Sequence, residues 1–299
     1  MFTVALRSTH VAHREAVIQV QDKTPSASTL EETQFMETAG LRIRYRVRGF
    51  GPPLLMINGI GLPLEFWRPL EDRLGQFQTI TVDPPGSGHS SVPRGRFGLR
   101  KQAGVMDELL EHLGIASAGV LGLSFGGMVA QELARRSPRR VDKLVLASTT
   151  CGLGGMPIPP MAMAAVFNPL SFYSPAYFRK IAPFIYGERI VDDPALFDEH
   201  IEIRRHCPSS LRGHFVQLRA ASEWTSRPWL HHLQMPVLVI AGSDDQLVPT
   251  VNGRIIAKAV PRGRLEIIDG GSHLCVLQET ARSAQLIGDF LAEDRAIGA

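Results

Sequence analysis

Residues Ala118 to Arg136 constrain this chain more than any other stretch. Ala118 to Leu123 is an apolar run of six, the length of a buried strand. It runs into Gly122-Leu123-Ser124-Phe125-Gly126-Gly127, and Met128 to Arg136 then reads as a helix that ends before Pro138. A serine bracketed by glycines between a strand and a helix sits on a sharp turn with its hydroxyl exposed at the end of a sheet. The small residues allow the close packing such a turn demands. The start of the following helix favours negative charge that develops beside the serine. Ser124 is therefore the candidate nucleophile.

The rest of the chain repeats this strand–helix rhythm. Short apolar runs at Leu54 to Ile57, Phe77 to Val82, Asp142 to Ala147, Pro236 to Ala241 and Arg264 to Ile268 read as strands. Leu99 to Leu113, Val251 to Ala259 and Thr280 to Ala292 read as helices. That alternation predicts an α/β fold, a mostly parallel sheet flanked by helices. The rhythm breaks between Cys151 and Pro228, where the pattern gives only short helices at Pro175 to Ile185, Pro194 to His206 and Ser209 to Ser222. This stretch is rich in Met and Phe, including Met156, Met161, Met163, Phe167, Phe172, Phe178 and Phe184. The expected organisation is a flexible N-terminal extension over 1–35, a core over 36–150 and 229–299, and an inserted helical cap, or lid, over 151–228 that lines an apolar ligand pocket. Met36, just before the first regular strand pattern, is a candidate chain start.

Composition narrows the function classes. With 32 Lys and Arg against 29 Asp and Glu, the formal charge is +3. Arg42, Arg44, Arg46 and Arg48 alternate with Leu41, Ile43, Tyr45 and Val47. This period of two predicts the solvent face of an edge strand and no nucleic-acid site. Cys151, Cys207 and Cys275 form no CxxC pair, which supports neither a disulfide framework nor a metal site and suits a reducing, cytoplasmic setting. No apolar run approaches the roughly 20 residues of a membrane span, and Met1 to Val20 lacks the apolar segment of a secretion signal.

A serine hydroxyl needs a base, and the base an orienting carboxylate. His273 follows the last expected strand in Asp269-Gly270-Gly271-Ser272-His273, whereas His231 and His232 precede a strand. Loops at the C-terminal ends of strands carry the chemistry of open α/β sheets, which selects His273. The acid lies in Gly242-Ser243-Asp244-Asp245-Gln246-Leu247-Val248-Pro249; the Gly-x-x-Asp-x-x-x-Pro spacing selects Asp245 and leaves Asp244 as a turn former. The backbone N–H groups of Phe125 and of Ile60, in Asn58-Gly59-Ile60-Gly61, are the candidate oxyanion donors. Asp83-Pro84-Pro85-Gly86-Ser87-Gly88-His89-Ser90 reads as a structural turn, with His89 a hydrogen-bonded loop residue.

With these motifs in place, the chain resembles the α/β-hydrolase superfamily over about residues 37 to 293. Asn58 to Gly61, Asp83 to Ser91, Gly122 to Gln131, Glu223-Trp224-Thr225-Ser226 with Trp229-Leu230-His231, and Pro236 to Pro249 resemble the intracellular depolymerases of medium-chain-length polyhydroxyalkanoates. Asn58 is telling, since many other superfamily members carry His at that place. Phe125 is a departure, because the depolymerases tend to have Trp after the nucleophile. The resemblance implies a Ser124–Asp245–His273 triad, no cofactor, and cleavage of 3-hydroxyalkanoate esters or related apolar acyl esters at a storage-granule surface. A small-ester carboxylesterase, a lipase and a cofactor-free perhydrolase of the haloperoxidase kind use the same triad. A ligand receptor on this fold would show a broken triad, whereas all three members are present here.

Overall fold

The computed structural model describes residues 33–166, 168, 170–187, 194–207 and 210–293. Eight strands form one sheet: β1 Thr33–Thr38, β2 Leu41–Arg48, β3 Pro53–Ile57, β4 Gln78–Val82, β5 Ala118–Leu123, β6 Val141–Ala147, β7 Val237–Gly242 and β8 Gly263–Ile268. Their spatial order is β1-β2-β4-β3-β5-β6-β7-β8. β2 runs antiparallel to β1 and β4; the six strands from β4 to β8 are parallel neighbours. Both sheet faces are covered, each by its own apolar cluster. This double burial explains why β5 and β7 are apolar at nearly every position rather than at alternate ones.

The register of the parallel strands sets where the loops emerge. Ile57 lies beside Gly122, Leu123 beside Ala147, Ala147 beside Ile240, and Gly242 beside Ile268. The segments that follow β3, β5, β7 and β8 therefore leave the sheet along one edge, a few ångströms apart.

Two expectations change. Thr33, Gln34 and Phe35 were expected in the extension, but they pair with Arg46, Tyr45 and Arg44 as the first half of β1. Polar residues dominate this edge strand, so its composition resembles a lead-in while its hydrogen bonds come from β2. The remainder of the expected extension, 1–32, lies outside the described residues, and Met36 is a buried residue within β1.

The arginine stripe is the larger correction. β2 is an inner strand, and Arg44 and Arg46 are 0% and 1% exposed. Arg44 binds Glu65 and, at 3.3 Å, Asp83; Arg46 binds Glu71. Arg48 reaches Asp72 at 2.8 Å and Arg42 lies over the Phe35 ring, so only the ends of the stripe meet solvent. The carboxylates come from the turn Leu64–Glu71 and from the end of β4. Strand periodicity distinguishes two faces but says nothing of what covers them.

Between β6 and β7 the chain forms helices Pro160–Val166, Leu170–Tyr173, Pro175–Tyr186, Pro194–His206 and Leu211–Ser222. The two ends of this insertion meet. Gly152 bridges to Thr225, the Leu153 N–H donates to the Trp224 carbonyl at 3.0 Å, and the Ser226 N–H donates to the Cys151 carbonyl at 2.9 Å. The Trp224 indole N–H donates to Glu132 at 3.0 Å, and the Ser226 hydroxyl donates to Gln131 at 2.7 Å, which ties this neck to the helix Phe125–Arg136. Of the aromatic and Met side chains expected to line a pocket, Met156, Met163 and Phe178 do so, Met161 faces solvent, and Phe184 packs into an apolar cluster. The side chains of Phe167 and Phe172 lie outside the described residues.

Candidate active site

Ser124 occupies the turn between β5 and the helix Phe125–Arg136 with φ 53° and ψ −115°. A non-glycine residue in this region is strained and persists only where its surroundings fix it. Its N–H donates to the Ala147 carbonyl at 2.9 Å, and its carbonyl accepts the Thr149 hydroxyl at 2.6 Å. The bracketing glycines are required by close approach. A Cβ on Gly126 would lie 2.0 Å from the Ile57 carbonyl oxygen, and one on Gly122 would lie 2.4 Å from that of Gly126.

The loop after β8 delivers His273 to Ser124. The imidazole Nε2 lies 3.0 Å from the Ser124 Oγ, and Nδ1 lies 2.9 Å from Asp245 Oδ2. A carboxylate only accepts, so Nδ1 carries the proton and Nε2 is left to accept from the serine hydroxyl. Asp245 is held in turn: its Oδ1 accepts the N–H groups of Leu247 at 2.9 Å and Val248 at 2.8 Å. These two amides explain the spacing that singles out Asp245, because the carboxylate folds back on its own loop. Asp244 is exposed and accepts the Ser243 hydroxyl instead. His231 and His232 are exposed and adjoin each other, and the N–H of His89 donates to Asp83 at 2.9 Å.

The loop after β3 reaches the same place. A Cβ on Gly59 would touch that of Ser124 at 3.5 Å, and Ile60 and Phe125 both border the cavity above Ser124. The Asn58 side chain closes its own turn by donating to the Pro63 carbonyl at 2.9 Å. Phe125 opens its helix, where first-turn N–H groups have no intrahelical acceptor.

The cavity has a volume of 520 Å³ and is walled mainly by apolar side chains of the insertion, among them Met156, Ile158, Phe178, Ile181, Ile185 and Leu218. Ser124 and His273 lie at its floor. Burial, with Arg204 nearby, pushes the His214 imidazole down to about 4, so a neutral ring faces the cavity at neutral pH. The three cysteines are buried, and burial pushes Cys207 and Cys275 up to about 12, far from thiolate chemistry. Among the described residues, no group of three His, Cys, Asp or Glu side chains is arranged to hold a metal ion. None of the described helices is long and apolar enough to cross a membrane.

Several residues of this region escape sequence reasoning. Gln217, fully buried on the inserted helix Leu211–Ser222, accepts the Gly61 N–H at 3.0 Å and donates to the Pro85 carbonyl at 3.0 Å and the Ser87 hydroxyl at 2.9 Å. The one signal for it is a glutamine sharing a helix face with the small residues Gly213 and Ala220. Asn252 likewise grips both backbone groups of Met156, at 2.9 and 3.0 Å.

Comparison with known proteins agrees with this architecture. Residues 52–186 match the family model described as the alpha/beta hydrolase fold. The chain is 37% identical to the poly(3-hydroxyalkanoate) depolymerase of Ectopseudomonas oleovorans over 257 residues, which covers 85% of this chain and 90% of that protein. It is 30% identical to the 2-hydroxymuconate semialdehyde hydrolase of a Pseudomonas species, covering 85% and 92% of the two chains. Among solved structures, a hydrolase from Pseudomonas aeruginosa superposes with a TM-score of 0.75 at 26% identity, over 87% of this chain and 98% of the other. Sheet topology, the turn at Ser124 and these relatives together place the chain in the α/β-hydrolase family.

Proposed function

We propose that the protein is a serine ester hydrolase that cleaves 3-hydroxyalkanoate polyester or related apolar acyl esters. The observation that carries this reading is the hydrogen-bonded series Ser124–His273–Asp245 opening into an apolar cavity. In this mechanism His273 Nε2 takes the Ser124 proton as Oγ attacks the ester carbonyl. Asp245 holds the imidazole and stabilises its positive charge. The N–H groups of Phe125 and Ile60 receive the oxyanion, where one such donor contributes roughly 3–4 kcal/mol to transition-state stabilisation. His273 then protonates the leaving alcohol and activates water for deacylation. The inserted helices act as a cap that excludes water and shapes the acyl pocket. The kinship with a depolymerase supports the polyester substrate and, with it, action at a storage-granule surface.

A second reading, a small-ester carboxylesterase, draws on the cavity itself: 520 Å³ suits a drug-sized molecule rather than a run of polymer. Aryl esters of rising acyl length and an emulsion of medium-chain polyester, assayed beside Ser124→Ala, decide between them. The expected result is clearing of the emulsion by the wild type and a fall in turnover of about 10⁶ in the variant. Equal rates for variant and wild type would overturn the mechanism. Ester turnover without clearing would overturn the polyester substrate and favour the second reading.

A further inference from the structure

The cavity is walled mainly by apolar side chains, and Arg204 is the cationic side chain among its lining residues. Arg204 sits on the inserted helix Pro194–His206, its guanidinium 4.5 Å from the centre of the Phe178 ring and 5.6 Å from that of Phe66. Its neighbour Arg205 pairs with Glu202, but among the described residues no carboxylate pairs with Arg204, and its Nε is buried without an acceptor there. Tyr186, a phenol, and His214, held neutral, are the polar groups beside it. Half-buried at the cavity wall, the guanidinium gives up part of its hydration, which the Tyr186 phenol replaces only in part and no described carboxylate balances. Two aromatic faces offset part of that loss. A planar carboxylate offered by a ligand would offset far more, through paired N–H···O bonds.

We infer that Arg204 is a carboxylate-recognition residue and that the substrates are esters carrying a free carboxylate at one end, such as oligomers of 3-hydroxy acids. This rests on the ester-hydrolase reading of the same cavity and names its substrate class. In such an oligomer the terminal carboxylate belongs to the alcohol half of the last ester bond. Attack by Ser124 breaks the bond between the acyl carbon and that alcohol oxygen. The oxygen takes its proton from His273 and leaves as a 3-hydroxy acid whose carboxylate Arg204 holds. Water then splits the acyl-enzyme, and the shortened chain gains a new carboxylate end that the same arginine can take. The protein thus works inward from the carboxyl end.

The test measures binding apart from turnover. Calorimetry on the Ser124→Ala protein compares a linear trimer of 3-hydroxydecanoate having a free carboxyl with its methyl ester. The free acid is expected to bind at least roughly tenfold more tightly, as for a charge-assisted pair. Adding Arg204→Met should abolish the difference while leaving the methyl ester's affinity unchanged, and Arg204→Lys should restore part of it. The unchanged methyl ester also reports that the variant is folded. Equal binding of acid and ester to Ser124→Ala, or equal loss of both on Arg204→Met, overturns the inference. With the wild type, absence of turnover on either trimer beside an intact binding difference overturns only the hydrolase reading. Turnover of both without a binding difference overturns only the role of Arg204.

Discussion

Ser124 borders the cavity, Gln217 is buried behind its wall on the inserted helix Leu211–Ser222, and the two are held by different means. Around Ser124 the restraints are backbone ones: a strained turn, a carbonyl from β6, and glycines that let three chain segments touch. Around Gln217 they are side-chain ones: one amide group joins two loops of the body, at Gly61 and at Pro85 with Ser87. Backbone restraints fix atoms to within tenths of an ångström and suit a reaction that needs one geometry. Side-chain restraints can be exchanged residue by residue and suit a surface that selects substrates.

This contrast can be broken most forcefully in the body. Arg46→Met leaves the buried Glu71 with only the more distant Arg48, at 4.0 Å, and loss of one partner of a buried pair costs about 3–5 kcal/mol. Denaturant titration should show that loss, while the folded fraction keeps its kcat. An unchanged midpoint would mean that this ionic layer contributes no stability. Next in size is His214. Its folded pKa, lowered to about 4, lies below the unfolded value near 6.5. The unfolded chain therefore binds the proton first. The contribution is whole above pH 6.5 and is lost as pH falls towards 4, by about 3 kcal/mol at most. Thermal midpoints across that window should fall more steeply for the wild type than for His214→Gln.

Smaller effects should come from single hydrogen bonds of the insertion. Gln217→Leu strips the Gly61 N–H of its acceptor, a cost of about 1–3 kcal/mol. Because Gly61 adjoins Ile60, kcat should fall by roughly 10- to 100-fold with little change in KM, while Gln217→Glu keeps an acceptor and recovers part of the rate. A pure rise in KM would separate Gln217 from the Ile60 loop. The smallest is Trp224→Phe, which keeps a ring at the neck but removes the bond to Glu132 and should cost about 1 kcal/mol of stability with unchanged kcat. Stability and rate measured on the same preparation would check both.

The same division decides what could be read from the chain. Ser124, Asp245 and His273 each lie in a local pattern whose spacing reflects a local cause: glycine contacts, two amides folding onto a carboxylate, a loop at a strand end. The helices Val251–Ala259 and Thr280–Ala292 and the strand β5 were legible to the residue for a related reason, since their periodicity is set within the element. Arg44 and Arg46 were not, because their carboxylates lie 21 to 39 positions away and the alternation of β2 reads alike for a wet face and a charged, buried one. Gln217 binds groups 130 to 156 positions away, a pairing no local pattern carries.

The neck at Gly152 and Thr225 has one more consequence. The chain leaves the sheet and returns at a single spot, so everything between is a loop whose ends are already pinned together. The entropy of closing such a loop grows only with the logarithm of its length, about 0.6 kcal/mol for each doubling. The cap could therefore gain or shed a helix with little penalty to the fold beneath it. In that sense the joint works as a splice site, where inserted helices can be exchanged and the turn at Ser124 left undisturbed.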